Sequence, residues 1–228
     1  MRQLVLDIRP DAPPTLDNFV VGANIELIAS LSLLAADRGL LPAPHLYLWG
    51  DSGTGRSHLL QAAVHLAADS GRPTHYVDAD SVGATLPETP DALLAVDDVD
   101  RLGPDAQIAL FNAFNRARIN GQSLLLSGPV APLGLNLRED LRTRIGQSLI
   151  FEVQSLDDDS RAAILTTLAE RRGIRLADEV VDFLLRHGRR DLPSLLAAFD
   201  ALDAASLEKK RPITLPLLRE MMQQGMAI

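Results

Sequence analysis

With 228 residues, 46% hydrophobic content and a mean hydropathy of +0.07, the chain can bury a real core as one domain or as a larger and a smaller one. No run approaches the roughly 18 consecutive apolar residues of a membrane span, and Arg2, Gln3, Asp7 and Arg9 interrupt the apolar stretch of an export signal, so a cytoplasmic chain without a membrane partner is expected. The absence of cysteine removes disulfides, thiolate metal sites and thiol nucleophiles, and a formal charge of −8 argues against strong direct DNA binding, which draws on a basic face.

In chain order, residues 1–10 read as a tail. Within it Gln3-Leu4-Val5-Leu6-Asp7-Ile8 offers one amide and apolar anchors at Leu4, Leu6 and Ile8, with an ordinary first strand or frayed terminus as the alternative. Pro10 to Pro14 form a stiff linker, and Thr15 to Asn24 read as a capped entry to the first helix. Five strands follow, at His45–Trp49, Thr74–Asp78, Leu93–Asp97, Ser123–Ser127 and Ser148–Val153. The third and fourth carry the unbroken Leu/Val/Ala runs of strands buried on both faces. Helical spacing at Ser57–Ala68 and Asp105–Asn120 alternates with them, which predicts a parallel sheet flanked by helices over residues 11–153. After Val153 the strand signal stops. Leu156–Arg172, Ala177–Arg186, Asp191–Leu207 and Thr214–Gln224 all show apolar spacing of three and four, predicting a small all-helical domain over residues 154–228. The one basic run, Lys209-Lys210-Arg211, reads as a solvated loop.

Between the first strand and its helix lies Gly50-Asp51-Ser52-Gly53-Thr54-Gly55-Arg56-Ser57, the P-loop pattern GxxxxGK[ST] with Arg56 in place of Lys. Its glycines let backbone N–H groups approach phosphate oxygens, the helix that opens there offers its positive end, and Ser57 is placed to ligate Mg²⁺, with His58 next along the helix. Arg56 keeps the charge, but its planar fork alters the geometry at the β and γ phosphates, so binding of ADP or ATP is expected to survive better than fast hydrolysis. A glycine-rich turn without a ligand is the alternative. Leu93-Leu94-Ala95-Val96-Asp97-Asp98 is an apolar strand ending in two carboxylates, the Walker B arrangement, with Asp97 expected to hold Mg²⁺ through water and Asp98 to orient the attacking water. Asp100 nearby leaves an exposed turn as the competing reading.

Taken together these motifs resemble the DnaA family of AAA+ proteins, in its short Hda-like form. The resemblance runs from Gln3 to the last helix and implies a five-stranded parallel AAA+ core followed by a helical lid. Thr15-Leu16-Asp17-Asn18-Phe19-Val20-Val21-Gly22-Ala23-Asn24 resembles the segment that packs near the adenine in that family, which puts Val20 and Val21 at the nucleotide. By the same resemblance Ser127 falls at the sensor 1 position, where Asn or Thr is more usual. Arg144, in Leu141-Arg142-Thr143-Arg144-Ile145-Gly146, matches the arginine offered to a neighbouring subunit, and Arg190 matches the sensor 2 arginine of the lid. A surface salt bridge is the alternative for each arginine. Asp98 stands where most AAA+ proteins carry Glu, a shorter arm that points again to slow turnover.

With the last helical segment ending near Ile228, the DNA-reading helix-turn-helix that DnaA-like initiators carry after the lid is not expected, and the Gln3–Ile8 segment resembles the short peptide by which bacterial proteins dock on the replicative sliding clamp. The resemblance therefore implies a regulator at the replisome and nucleoid. Bound to the clamp, it would offer Arg144 to ATP held by DnaA and so stimulate hydrolysis to ADP-DnaA. Two other readings stay open at this level: an autonomous AAA+ ATPase of the helicase-loader or remodeller kind, and a nucleotide-independent module recruited to the clamp. Self-association into a homodimer or larger assembly is compatible with arginines that act between subunits.

Overall fold

The computed structural model describes residues 13–36, 44–188 and 191–223. The backbone divides into two compact units at the Ser155–Leu156 junction.

The first unit is built on five parallel strands, β1 (His45–Trp49), β2 (Thr74–Asp78), β3 (Leu93–Asp97), β4 (Ser123–Gly128) and β5 (Leu149–Glu152), ordered β2-β3-β4-β1-β5. Every residue of β3 and β4 is buried, as their unbroken apolar runs require when both sheet faces are covered. Because side chains alternate across a strand, Leu93 and Ala95 join one core with α1 (Ile25–Ala36) and α2 (Arg56–Asp69). Leu94 and Val96 join the other, with α3 (Pro104–Asn120) and α4 (Glu139–Gly146). Leu27, Leu31, Leu59, Leu60 and Ala63 fill the first core against Leu46, Leu48 and Leu125. Leu110, Ala113, Phe114, Leu141 and Ile145 fill the second against Tyr47, Leu124 and Leu126. At the sheet's edge β5 pairs only with β1, in the register Leu46 to Leu149, and leaves Leu149 and Ile150 exposed.

Pro104 opens α3, where a missing N–H costs nothing, and Gly121 ends it at φ 70°. The expected strands hold, with β4 one residue longer and β5 one residue shorter at each end. Neither α1 nor α4 was delimited from sequence.

The second unit is all helix: α5 (Asp158–Arg171), α6 (Asp178–His187), α7 (Leu192–Lys209) and α8 (Leu215–Gln223). Asp157 and Asp191 cap α5 and α7 by accepting from Ser160 N–H and Ser194 N–H, both at 2.8 Å. Phe199, Leu202, Leu184, Val180, Leu165 and Leu218 form its core. The basic run is part of this packing. Lys209 is the last residue of α7, Lys210 takes the left-handed cap at φ 49°, and Lys209 and Arg211 both pair with Glu220, whose carboxyl they hold below its usual range. No helix among the described residues is long and apolar enough to cross a membrane.

Candidate nucleotide site and an arginine groove

The loop from Gly50 to Gly55 leaves the carboxyl end of β1 and turns into α2, as the motif predicts. A Cβ at Gly50 would lie 2.8 Å from the Val153 carbonyl oxygen, so the loop runs too close to the chain leaving β5 for a side chain. Gly53 and Gly55 take φ 83° and 96°, a region open to glycine at little cost. Thr54 folds back, its N–H and hydroxyl both donating to the Asp51 carbonyl at 3.3 and 3.0 Å. Leu59 N–H makes a helical bond to Gly55 O at 2.9 Å, while the amides of the first turn, at Arg56, Ser57 and His58, have no i−4 carbonyl within the helix.

Arg56 points back along the sheet end. Its Nη2 lies 3.3 Å from Asp98 Oδ1, and its Nη1 is buried without any hydrogen-bond partner. A buried donor with no acceptor is costly, and a phosphate oxygen seated in this loop would satisfy it. Together with the glycine cradle, that orphan fits a nucleotide. Among the described residues no cluster of three or more His, Cys, Asp or Glu forms a protein-made cation site. Mg²⁺ at Asp97 and the exposed Ser57 would therefore take most of its oxygens from phosphate and water.

Asp97 is 3% exposed at the end of β3, with both carboxylate oxygens engaged. Tyr76 OH donates to Oδ2 at 2.7 Å and Ser127 Oγ donates to Oδ1. The same Ser127 oxygen accepts from Asp98 N–H at 2.8 Å, so Ser127 ties the Asp97 carboxylate to the backbone of Asp98. Asp98 itself takes φ 52°, a left-handed conformation that Asp adopts more readily than most residues. Burial and then the neighbouring Asp97 push the Asp98 carboxyl above its ordinary value, against the pull of Arg56. Tyr76 is pushed up to about 12 by burial and by its bond to Asp97, which keeps its phenol a donor. Asp100 is exposed, as the competing turn reading expects, whereas Asp98 pairs with Arg56 and Asp97 is buried between Tyr76 and Ser127.

The entry segment closes one side. Thr15 N–H donates to Asn18 Oδ1 at 2.9 Å and Asn18 N–H to Thr15 Oγ1 at 3.2 Å, a reciprocal turn. His58 Nε2 lies 3.0 Å from Thr15 O, and the Phe19 ring packs 5.8 Å from the His58 ring and against Gly55. Half-buried Val20 and Val21 follow. Val21 O receives Asn24 N–H at 2.8 Å, and Asn24 then bonds the Gln154 backbone twice, Nδ2 to O at 2.9 Å and N to Oδ1 at 2.8 Å.

Arg144 lies elsewhere. Its Nη2 donates to Asn115 Oδ1 at 3.2 Å and its guanidinium sits 5.7 Å from the Phe111 ring centroid. It lines an open groove of about 500 Å³ with Pro44, His45, Phe114, Arg118, Gln147 and Leu149. His45 and Leu149 begin β1 and β5, so this groove is at the amino end of the sheet, about 13 Å of strand from the P-loop at the carboxyl end. Burial lowers the His45 pKa to about 4, and its Nδ1 accepts Leu124 N–H at 3.2 Å.

Gly50 to His58, Asp97, Asp98 and Ser127 thus gather at one end of the sheet beside Val20 and Val21, and Arg144 stands at the other. Arg190 and the segment holding Gln3, Leu4, Leu6 and Ile8 lie outside the described residues. Sequence reading missed Tyr76, Asn24 with Gln154, and Asn115. Only the polar Tyr76 within a strand whose end faces the motifs gave any local signal.

A parallel sheet with the P-loop strand between β4 and β5, an acidic pair at the end of β3 with β4 intervening, and a separate helical unit define the P-loop AAA+ class. Residues 158–222 match the family model described as the Hda lid domain. The chain is 33% identical over 230 residues to an uncharacterized protein of Haemophilus influenzae, covering 97% of this chain and 98% of that protein. The fold is shared with domain III of the Thermotoga maritima replication initiation protein DnaA (TM-score 0.74, 20% identity, 95% of this chain and 98% of that one). It is shared also with the AMPPCP-bound DnaA of Aquifex aeolicus (TM-score 0.69, 24% identity, 88% and 68%). The second unit is thus identified as an Hda lid domain, and the chain as a whole carries the fold of the DnaA AAA+ proteins.

Proposed function

We propose that this protein is a negative regulator of replication initiation that, docked on the sliding clamp through Gln3, Leu4, Leu6 and Ile8, stimulates hydrolysis of DnaA-bound ATP and leaves inactive ADP-DnaA. The observation that carries the reading is the position of Arg144: at the amino end of the sheet, a strand's length from its own P-loop, in an open groove. Such a guanidinium is out of reach of its own nucleotide and available to another chain's. Asn115 and Phe111 hold it without cancelling its charge, since one is a neutral amide and the other a ring face. A positive group brought to a transferring phosphoryl neutralises charge that grows in the transition state, an effect of about 10³ to 10⁵ in rate for arginine fingers.

The chain's own site serves mainly to bind. Gly50 to Ser57 cradle the phosphates of ADP or ATP with backbone amides, Arg56 supplies the orphan Nη1, and Phe19, Val20 and Val21 flank the base. Bound Mg²⁺ supplies charge neutralisation at the phosphates, with Asp97 and Ser57 on its side of the loop. Asp98 is poorly placed as a water-orienting base, being short and paired with Arg56 at 3.3 Å, which supports weak intrinsic turnover. Arg190 is the lid residue assigned to the nucleotide. The protein works in the cytoplasm at the replisome.

Hydrolysis of DnaA-bound ATP, followed with and without DNA-loaded clamp, tests this. Wild type is expected to accelerate it only with clamp, and Arg144→Ala to abolish the acceleration while keeping ADP affinity and melting temperature. Full stimulation by Arg144→Ala rejects the proposal. High ATP turnover by the isolated protein favours the autonomous ATPase instead.

A further inference from the structure

Three neighbouring strands each contribute one polar side chain to a single cluster: Asp97 from β3, Ser127 from β4, and Tyr76 from β2, where its register partner is Ala95, two residues before Asp97. Both outer members are hydroxyls, and both donate inward to the central carboxylate, one to each oxygen. A carboxylate held at one oxygen still turns about its terminal torsion, a soft and two-fold one. Held at both, it is fixed. Asp97 is 3% exposed and Ser127 fully buried, so water does not stand in for the Ser127 hydroxyl. The Tyr76 hydroxyl is itself aimed by Gln61, whose Nε2 donates to it at 3.3 Å and leaves its one proton for Asp97.

We infer that Tyr76 is a positioning residue for the cation that accompanies the bound nucleotide: it fixes the plane of Asp97, so that the remaining lone pair of each oxygen faces the end of the P-loop. The inference rests on the nucleotide reading above and adds to it a residue outside the motifs. Partners that orient a metal-holding group typically change metal affinity about 10- to 100-fold when removed. Because Asp97 acts through water, the low end applies, roughly tenfold. A merely structural tyrosine behaves differently. Loss of its hydroxyl would alter nucleotide binding equally with and without metal, or would alter only the melting temperature.

The test is calorimetric titration of ADP into the full chain in Mg²⁺ and in EDTA, for wild type, Tyr76→Phe and Ser127→Ala. Tyr76→Phe keeps the ring packed against its core and deletes one oxygen. The expected result is unchanged affinity in EDTA and a loss of about tenfold in the affinity gained from Mg²⁺. Ser127→Ala, acting on the other oxygen, should reproduce the loss, so the outcome does not hang on one variant's folding. An undiminished Mg²⁺ gain in Tyr76→Phe, or an equal weakening in both buffers, overturns the assignment. No heat from wild type in either buffer rejects the nucleotide site itself, and the assignment with it. ADP binding by wild type that ignores Mg²⁺ rejects the assignment alone.

Discussion

Acidification offers a measurable handle on the groove that holds Arg144. The imidazole of His45 packs edge-on to Phe114 at 5.3 Å and accepts the Leu124 amide at Nδ1, and burial lowers its pKa from 6.5 to about 4. Protonating Nδ1 ends that bond and places a charge under the groove. Because the folded value is depressed, the stabilisation is fully present above pH 6.5 and is lost as pH falls toward 4. Integrated from pH 7.5 to 5, the unfolded chain's extra proton binding costs about 2 kcal/mol. With a urea slope of about 2 kcal/mol per molar, the unfolding midpoint of the first unit should drop by about 1 M. Trp49 is the only tryptophan and ends β1, so its fluorescence reports that unit. His45→Asn puts an oxygen near the Nδ1 position, keeps an acceptor for Leu124 and does not titrate. Its midpoint should change about 1 M less between the two pH values than wild type. If the variant shows the full wild-type pH dependence, the buried imidazole is not the source and the reasoning fails.

Two shorter predictions follow from the entry segment. Asn24→Ala removes both bonds to the Gln154 backbone and should cost the first unit about 2 to 3 kcal/mol, read as a urea midpoint about 1 M or more lower by Trp49 fluorescence. A shift under about 0.3 M would show that this clasp is idle. Gly55→Ala puts a methyl 2.8 Å from Phe19 Cε2 at φ 96°. It should cost about 1 to 2 kcal/mol in backbone strain and weaken ADP binding in calorimetry; wild-type affinity with a wild-type melt refutes it.

The strands were legible because a strand buried on both faces writes one continuous apolar run, as Leu93–Asp97 does. At the edge, β5 exposes Leu149 and Ile150, and its limits blurred by a residue at each end. Helix α4 buries only Leu141 and Ile145, too few repeats for a period, and α1 is apolar nearly all round. The P-loop and the Asp97-Asp98 pair were readable because each is a run of adjacent residues. What closes the site was not. Tyr76 reaches Asp97 across 21 residues, Asn24 reaches Gln154 across 130, and Arg56 meets Asp98 from another strand end, so each pairing exists only once the strand order is fixed.

The two ends of the parallel sheet give the first unit a direction. Under the proposed function, nucleotide would approach from the carboxyl edge and a visiting phosphate from the amino edge, so that neither would displace the other. A contact in which the amino edge of one chain meets the carboxyl edge of another would carry Arg144 toward a neighbour's phosphate loop.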